Sequence, residues 1–172
     1  MGLPARSTLT AEGVEVLTGD ELHRRGGRPL RMREHCRNAQ AVVDYLKKHP
    51  AVTRVIHPSQ QTGEFARRAK TYLKDGLGGL LGFELKGGKE AGRQFIDSLK
   101  LFYHVANIGD ARSLAIHPAT TTHSQLSPEE QLATGVSDNY VRLSVGIEHI
   151  DDIIADLDQA LGAATGQKAA AE

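Results

Sequence analysis

The sequence predicts an α+β fold in which helices cover a small β-sheet. Patterns typical of helices and of strands alternate along the chain, in the order helix, strand, helix, strand, helix, strand, strand, helix, strand, helix. No segment repeats another, and a length of 172 residues suits one domain with a hydrophobic core.

The longest predicted helix runs from Leu30 and ends before Pro50, which has no N–H to continue the hydrogen-bond ladder. Its apolar residues recur at steps of three and four and are Met32, Cys36, Ala39, Val43 and Leu46. The next predicted elements are a strand at 52–57, a helix around 65–73, a strand at 80–85 and a helix around 91–99.

The second half of the chain predicts two short strands, a helix, a strand and a last helix. Ser127 and Glu130 fit a capping box around Pro128, and Gly135 can end the helix that they begin. The two short strands are expected at 101–106 and 113–117, the third strand at 141–145, and the last helix on the apolar face of Ile150, Ile153, Ile154, Leu157 and Leu161.

The termini differ in composition from the rest of the chain. Residues 1–28 have no sustained period and predict a flexible N-terminal segment, with Pro29 at the entry to the first helix. The folded domain is predicted over 29–163, and the Ala-rich residues 164–172 predict a disordered tail.

Composition narrows the classes of function. The 21 basic and 21 acidic residues balance, which does not favour nucleic-acid binding. The apolar runs are far too short for a membrane span, and the one cysteine has no internal partner for a disulfide. We therefore expect a cytoplasmic protein that binds neither nucleic acid nor membrane. The histidines are scattered and do not have the spacing of metal ligands, so no metal site is predicted.

Arg142 is the first candidate site residue, because it lies within an otherwise apolar predicted strand. A guanidinium placed there needs an anionic partner or solvent, and its geometry matches a carboxylate bidentately. The alternative is an outward-facing arginine paired with a nearby acid such as Glu148. Composition and period alone favour that alternative.

Two polar loops are further candidates. Residues 107–113, Asn-Ile-Gly-Asp-Ala-Arg-Ser, lie between two predicted strands, where binding groups often sit on a rigid scaffold. Residues 120–123 offer three threonine hydroxyls and an imidazole that can touch a phosphate or carboxylate. Composition alone favours ordinary connecting loops for both segments.

Four segments together resemble the Cys/Met metabolism (transsulfuration) family of enzymes that depend on pyridoxal 5'-phosphate (PLP). They occur in family-like order and are Leu99-Lys-Leu-Phe102, Asn107-Ile-Gly-Asp-Ala-Arg-Ser-Leu114, His117-Pro-Ala-Thr-Thr-Thr-His123 and Val141-Arg-Leu-Ser-Val-Gly-Ile-Glu148. The resemblance covers about residues 29–161. It implies the C-terminal domain of a fold-type I PLP-dependent transferase, with a small, mostly antiparallel sheet covered by helices.

Within that family the Asn-Ile-Gly-Asp-Ala form is most similar to O-acetylhomoserine sulfhydrylase. The resemblance implies an aminocarboxypropyltransferase of methionine biosynthesis that converts O-acetyl-L-homoserine and sulfide to homocysteine and acetate, with PLP as electron sink. It implies that Arg142 binds the substrate α-carboxylate, that Asn107 helps to hold it and that Thr122 lines the same pocket. A cystathionine γ-synthase and a γ-lyase are alternatives.

One feature of the family does not occur in this sequence. Its Schiff-base lysine lies in a Ser-x-Thr-Lys stretch upstream of this domain, and none of the chain's lysines stands in such a stretch: Lys47, Lys48, Lys70, Lys74, Lys86, Lys89, Lys100 and Lys168. No catalytic lysine is therefore assigned, and we expect a fragment or one half of a split enzyme, inactive by itself. Its expected partners are the amino-acid substrate and a separately encoded PLP domain, within a homo-oligomer. A non-enzymatic interaction module is the other alternative.

Overall fold

The computed structural model describes the backbone of residues 19–166 and the side chains of residues 27–166. The predicted flexible segment lies outside the described residues as far as residue 18. The predicted disordered tail lies outside them from residue 167 onward. None of the helices in the described part has the length and apolar composition needed to cross a bilayer.

Helix α1 begins earlier than the sequence predicts. It spans Gly19–Lys48 and contains Pro29, so the proline lies inside the helix and not at its entry. An internal proline removes one hydrogen bond at a cost of about 3 kcal/mol, which lowers the stability of a helix without having to end it. The prediction placed Pro29 at the helix entry because proline suits the first turn of a helix, and the structure corrects it.

Four further helices follow, with two single turns of 3-10 helix at 58–60 and 118–120. Their bounds are α2 (Gly63–Tyr72), α3 (Gly88–Ser98), α4 (Pro128–Ala133) and α5 (Ile150–Thr165). The capping box predicted for α4 is present: Glu130 N donates to Ser127 Oγ at 3.3 Å, and Ser127 N donates to Glu130 Oε2 at 2.8 Å.

The described residues form one five-stranded sheet in the order β1-β2-β5-β4-β3. Every neighbouring pair is antiparallel except β3 and β4, which are parallel. The predicted α+β class, with a mostly antiparallel sheet, is therefore confirmed. The strands are β1 (Val52–Ile56), β2 (Leu80–Leu85), β3 (Tyr103–His104), β4 (Leu114–Ile116) and β5 (Tyr140–Ser144).

The strand predicted at 101–106 is reduced to the two residues of β3. The backbone N–H groups of Lys100, Leu101 and Phe102 donate to the buried carboxylate of Asp156 on α5, at 2.9, 2.8 and 3.2 Å. Because a side chain takes these donors, that part of the segment does not pair with a strand. The sequence pattern could not reveal a partner so distant along the chain.

The core lies on one face of the sheet, which we call the helix face, between the strands and helices α1, α3 and α5. Phe83 of β2 and Phe95 of α3 meet edge to face there, with ring centroids 5.4 Å apart. Leu143 of β5 and Leu157 of α5 are fully buried in the same cluster. Helices α1, α3 and α5 supply nine of the other sixteen members of this cluster.

The opposite face of the sheet, which we call the open face, is less covered. Because side chains alternate along a strand, Tyr140, Arg142 and Ser144 point away from the core that Leu143 enters. Helix α2 stands beside this face and buries none of its own side chains. The open face therefore carries the polar side chains of β5.

Candidate carboxylate-binding site

Arg142 lies in the middle of β5, near the centre of the sheet. Its Cα pairs with Gly82 on β2 and with Ile116 on β4. The side chain is half-buried on the open face. The backbone of Arg142 is fixed by strands on both sides, and its side chain still reaches solvent. A clamp for a small anion requires both properties.

The loop after β3 crosses Arg142. The guanidinium Nη2 donates to the backbone carbonyl oxygen of Asn107 at 3.3 Å, and Gly109 N donates to Ser144 Oγ at 3.2 Å. The structure thus brings together two of the three predicted site residues. Asn107 meets Arg142 through its backbone, however, because its side-chain Oδ1 accepts from Ile108 N at 2.8 Å.

The alternative pairing of Arg142 with Glu148 does not occur. The Glu148 carboxylate accepts from Ser113 N at 2.7 Å and from Ser113 Oγ at 2.9 Å. Arg142 forms no ion pair with any carboxylate among the side chains of residues 27–166. Most of its five N–H donors are therefore left for solvent or for a ligand.

Thr122 is exposed and contacts neither Arg142 nor Asn107 by a hydrogen bond. Its hydroxyl lies 2.9 Å from His123 Nδ1. The segment that carries it is held by Gln131 of α4, whose Nε2 donates to the His123 carbonyl oxygen at 2.8 Å. The third predicted site residue is thus on an ordered loop, without a direct link to the other two.

His117 anchors the start of that same segment and is fully buried. One ring nitrogen, Nε2, lies 2.7 Å from the carbonyl oxygen of Asp138, and the other, Nδ1, lies 2.9 Å from Thr120 Oγ1. Burial lowers the pKa of His117 below its usual 6.5, while the Asp138 carbonyl opposes that shift. A neutral ring can donate to the carbonyl and accept from the hydroxyl at once.

Tyr140 is a neighbour of Arg142 that sequence reasoning did not identify. Its ring covers Gly82 so closely that a Cβ at that glycine would overlap the ring. Burial raises the pKa of the Tyr140 phenol, and the nearby Arg142 charge opposes this rise. Alternation within β5 could have placed both side chains on one face, but only the register with β2 reveals the contact with Gly82.

A groove of about 770 Å³ lies beside Tyr140, between the open face and α2. Several of its apolar side chains are strongly exposed, among them Phe65 at 65% and Leu80 at 42%. Soluble monomers seldom expose a continuous apolar patch of this kind without using it for binding.

The comparison with protein-family models decides the family. Residues 22–162 match the model described as "Cys/Met metabolism PLP-dependent enzyme", which is well over half of the chain. The chain belongs to this family. The resemblance read from the four sequence segments is thereby confirmed.

Curated relatives in this PLP-dependent family include sulfhydrylases and lyases. The chain is 53% identical over 163 residues to the O-acetyl-L-homoserine sulfhydrylase of Leptospira meyeri, covering 92% of this chain and 34% of that protein. It is 45% identical over 160 residues to the L-methionine gamma-lyase of Pseudomonas putida, covering 93% and 37%. The chain spans about a third of the length of these relatives.

A solved structure gives the same picture. It is named as an O-acetylhomoserine (thiol)-lyase of Campylobacter jejuni and contains N'-pyridoxyl-lysine-5'-monophosphate. The match has a TM-score of 0.72 at 42% identity and covers 78% of this chain and 32% of that one.

PLP needs a lysine and a phosphate cradle, and the described residues do not offer the lysine. The described lysines are all exposed: Lys47, Lys48, Lys70, Lys74, Lys86, Lys89 and Lys100. An exposed lysine side chain is not held in the fixed position that attachment of a cofactor requires. The described residues therefore do not fit the attachment of the cofactor, whereas the half-buried Arg142 guanidinium, which has no ion-pair partner among them, fits an anion.

Proposed function

We propose that Arg142 binds the α-carboxylate of an amino-acid substrate and that this chain supplies the carboxylate-binding domain of a PLP-dependent O-acetyl-L-homoserine sulfhydrylase. The proposed overall reaction converts O-acetyl-L-homoserine and sulfide to homocysteine and acetate, the chemistry of an aminocarboxypropyltransferase. The observation that carries the proposal is the half-buried Arg142 guanidinium, which no carboxylate of the described residues neutralises.

The geometry explains why an amino acid would bind there. A carboxylate accepts two parallel N–H bonds from a guanidinium, and the partial shielding of Arg142 strengthens them. The Asn107 carbonyl already orients one edge of the guanidinium. We propose that the Asn107 amide and the Thr122 hydroxyl complete the site when substrate is bound.

Similarity favours a sulfhydrylase. Relatives named as sulfhydrylases or homocysteine synthase are 45–53% identical to the chain and three L-methionine gamma-lyases are 45–47% identical, so the highest identities belong to the first group. The margin is small, so a γ-lyase is the second candidate. Homocysteine formed from O-acetyl-L-homoserine and sulfide supports the first, and 2-oxo acid released from methionine supports the second.

We propose that the cofactor lysine is supplied by a PLP domain outside this sequence and that the domain covers the open face. One observation supports the choice of surface: the apolar groove beside Tyr140 lies on the open face. The proposed role of Arg142 agrees with it, because a residue that binds the substrate carboxylate has to face the cofactor. The 172 residues by themselves are then inactive, and the complete enzyme is a homo-oligomer.

The first experiment asks whether this chain attaches PLP. The purified chain is incubated with PLP, reduced with borohydride and mapped by mass spectrometry, while O-acetyl-L-homoserine and sulfide are assayed for homocysteine. We expect scattered or no lysine adducts and no homocysteine. One stoichiometric adduct with turnover would show that the chain is a complete enzyme, whereas failure to associate with any PLP domain would favour a non-enzymatic module.

A second experiment tests Arg142 directly. The backbone amide resonance of Leu143, which the wild type and both variants contain, is followed by NMR while O-acetyl-L-homoserine is added. We expect a saturable shift in the wild type and at least about a tenfold loss of affinity in Arg142→Lys, because lysine cannot form the paired bonds. Arg54→Lys is the matched control, since Arg54 lies on the same sheet and pairs with Glu84 at 3.6 Å. Equal affinity in both variants would refute the Arg142 clamp.

A further inference from the structure

The loop that crosses Arg142 has little regular structure of its own. Residues 105–110 are exposed, and no helix or strand is assigned between His104 and Leu114. The loop nevertheless places the Asn107 carbonyl on the Arg142 guanidinium. Something other than secondary structure must hold it in that position.

The end of the loop is pinned to the turn after β5. Glu148 accepts both the backbone N–H and the hydroxyl of Ser113, at 2.7 and 2.9 Å. Ser113 Oγ in turn accepts from Gly146 N at 2.8 Å, and Ile147 N donates to the Ala111 carbonyl oxygen at 2.9 Å. These four bonds join the loop to the strand that carries Arg142.

The turn itself is fixed from the helix face. Asn38 of α1 is fully buried, and its Nδ2 donates to the carbonyl oxygens of Gly146 and Glu148 at 3.1 and 2.9 Å. Residue 146 has to be a glycine because the 107–113 loop lies so close to it. A Cβ at that position would collide with the Ala111 carbonyl and the Ser113 amide. The Glu148 carboxylate is therefore held at a set position relative to the core.

We infer that Glu148 is a positioning residue, which holds the 107–113 loop over Arg142 by binding Ser113 and so sets the geometry of the anion site. The inference rests on the proposed carboxylate-binding role of Arg142. Glu148 has a second effect: since its carboxylate is engaged by Ser113, it does not neutralise Arg142, and the guanidinium keeps its donors for a ligand.

The charge of Glu148 is needed as well as its shape. An ionised carboxylate can accept both Ser113 donors, whereas a neutral amide of the same size presents one acceptor oxygen and one donor nitrogen. Hydrogen bonds to a charged acceptor are also the stronger kind. Glu148→Gln therefore tests the bond pattern with little change in volume, and Ser113→Ala removes only the hydroxyl from the other side.

The test measures amide hydrogen exchange by NMR in the wild type, Glu148→Gln and Ser113→Ala. Glu90→Gln is the control, because Glu90 is exposed and pairs only with Arg93 of its own helix among the described residues. We expect the amides of Gly109 and Ile147 to exchange at least about tenfold faster in Glu148→Gln and in Ser113→Ala than in the wild type. The exchange of core amides should be unchanged. Unchanged exchange at both amides would overturn the inference. If Glu148→Gln fails to fold, Glu148→Asp decides the question, because it keeps the charge but withdraws the carboxylate from the Ser113 N–H and hydroxyl.

A second readout separates a positioning role from a purely structural one. O-acetyl-L-homoserine is titrated against the Arg142 Nε–Hε resonance in the same proteins. We expect the affinity for O-acetyl-L-homoserine to be about fivefold weaker or more in Glu148→Gln and unchanged in Glu90→Gln. The double variant Ser113→Ala/Glu148→Gln should bind no more weakly than Glu148→Gln, because both substitutions break the same contact. Equal affinity in Glu148→Gln and the wild type would overturn the inference. If the wild type itself does not bind, the proposed function fails, and the exchange rates alone still decide whether Glu148 holds the loop.

Discussion

The two faces of the sheet differ in how they are stabilised. On the helix face, side chains from three helices and the strands form one apolar cluster in which Leu143 is fully buried. Arg142 precedes Leu143 in the same strand and lies on the open face. It is half-buried and contacts the loop after β3 and solvent. One strand therefore presents a buried apolar side chain on one side and a half-buried charged side chain on the other.

This difference shows why the site can be polar without weakening the fold. The apolar burial that stabilises the domain is nearly complete on the helix face. The open face can therefore leave Tyr140 and Arg142 only half-buried. It can also leave an apolar groove uncovered beside them. Substitutions on the helix face should therefore change the free energy of unfolding more than substitutions on the open face.

Truncation on the helix face should have the largest effect. Leu143→Ala leaves a cavity in a fully buried cluster and is expected to lower the free energy of unfolding by about 2–5 kcal/mol. Leu80→Ala is the control on the open face, where Leu80 is 42% exposed, and should cost less than about 1 kcal/mol. Urea unfolding measures both, and equal losses would contradict the assignment of the two faces.

Acid should destabilise the fold through buried histidines. Burial lowers the pKa of His49, His57 and His117 below the usual 6.5, with Asp158 opposing the shift at His49. Below about pH 6.5 the unfolded chain binds protons that the folded chain excludes, so stability is highest above that pH and falls as pH decreases toward the folded-state values.

Urea unfolding between pH 7.5 and about 5.5 checks this direction, before most carboxylates titrate. His57→Gln should reduce the slope of stability against pH, because one of the excluded protons is removed. His149→Gln is the control, since the His149 side chain is 71% exposed. A stability that rises as the pH falls would contradict the prediction.

The cap of α4 should have an intermediate effect. Ser127→Ala removes the acceptor for Glu130 N and is expected to cost about 1 kcal/mol. It should also loosen the segment held by Gln131, which can be followed at the His123 amide by hydrogen exchange. Ser127→Asp keeps an acceptor and should behave like the wild type; an equal loss in both variants would exclude capping as the cause.

The groove should contribute least to stability. Phe65 is 65% exposed, so Phe65→Ser is expected to change the free energy of unfolding by less than about 0.5 kcal/mol. Thermal and urea unfolding measure the change. A loss above about 1 kcal/mol would mean that the chain itself packs against this side chain and that the groove is not open for a partner.

The elements with a strong local period could be predicted from sequence. Strand β2 has the predicted bounds, and the predicted faces of α3 and α5 enter the core through Phe95, Ile153 and Leu157. Helix α2 was also predicted from its apolar spacing, yet none of its side chains is buried. A period shows that a face is apolar and does not show what covers it.

The fold class, the order of the helices and strands, the cap of α4 and, by resemblance, the family could all be predicted from the sequence. These depend on neighbours within a few residues or on motifs that can be read directly. Three contacts could be found only in the folded chain: Glu148 binds Ser113 and not Arg142, Asp156 accepts from the N–H groups of the shortened strand, and Asn107 contacts Arg142 through its backbone. The physical reason is that each of these contacts joins residues more than thirty positions apart, and a hydrogen bond depends on distance and angle that only the folded chain sets.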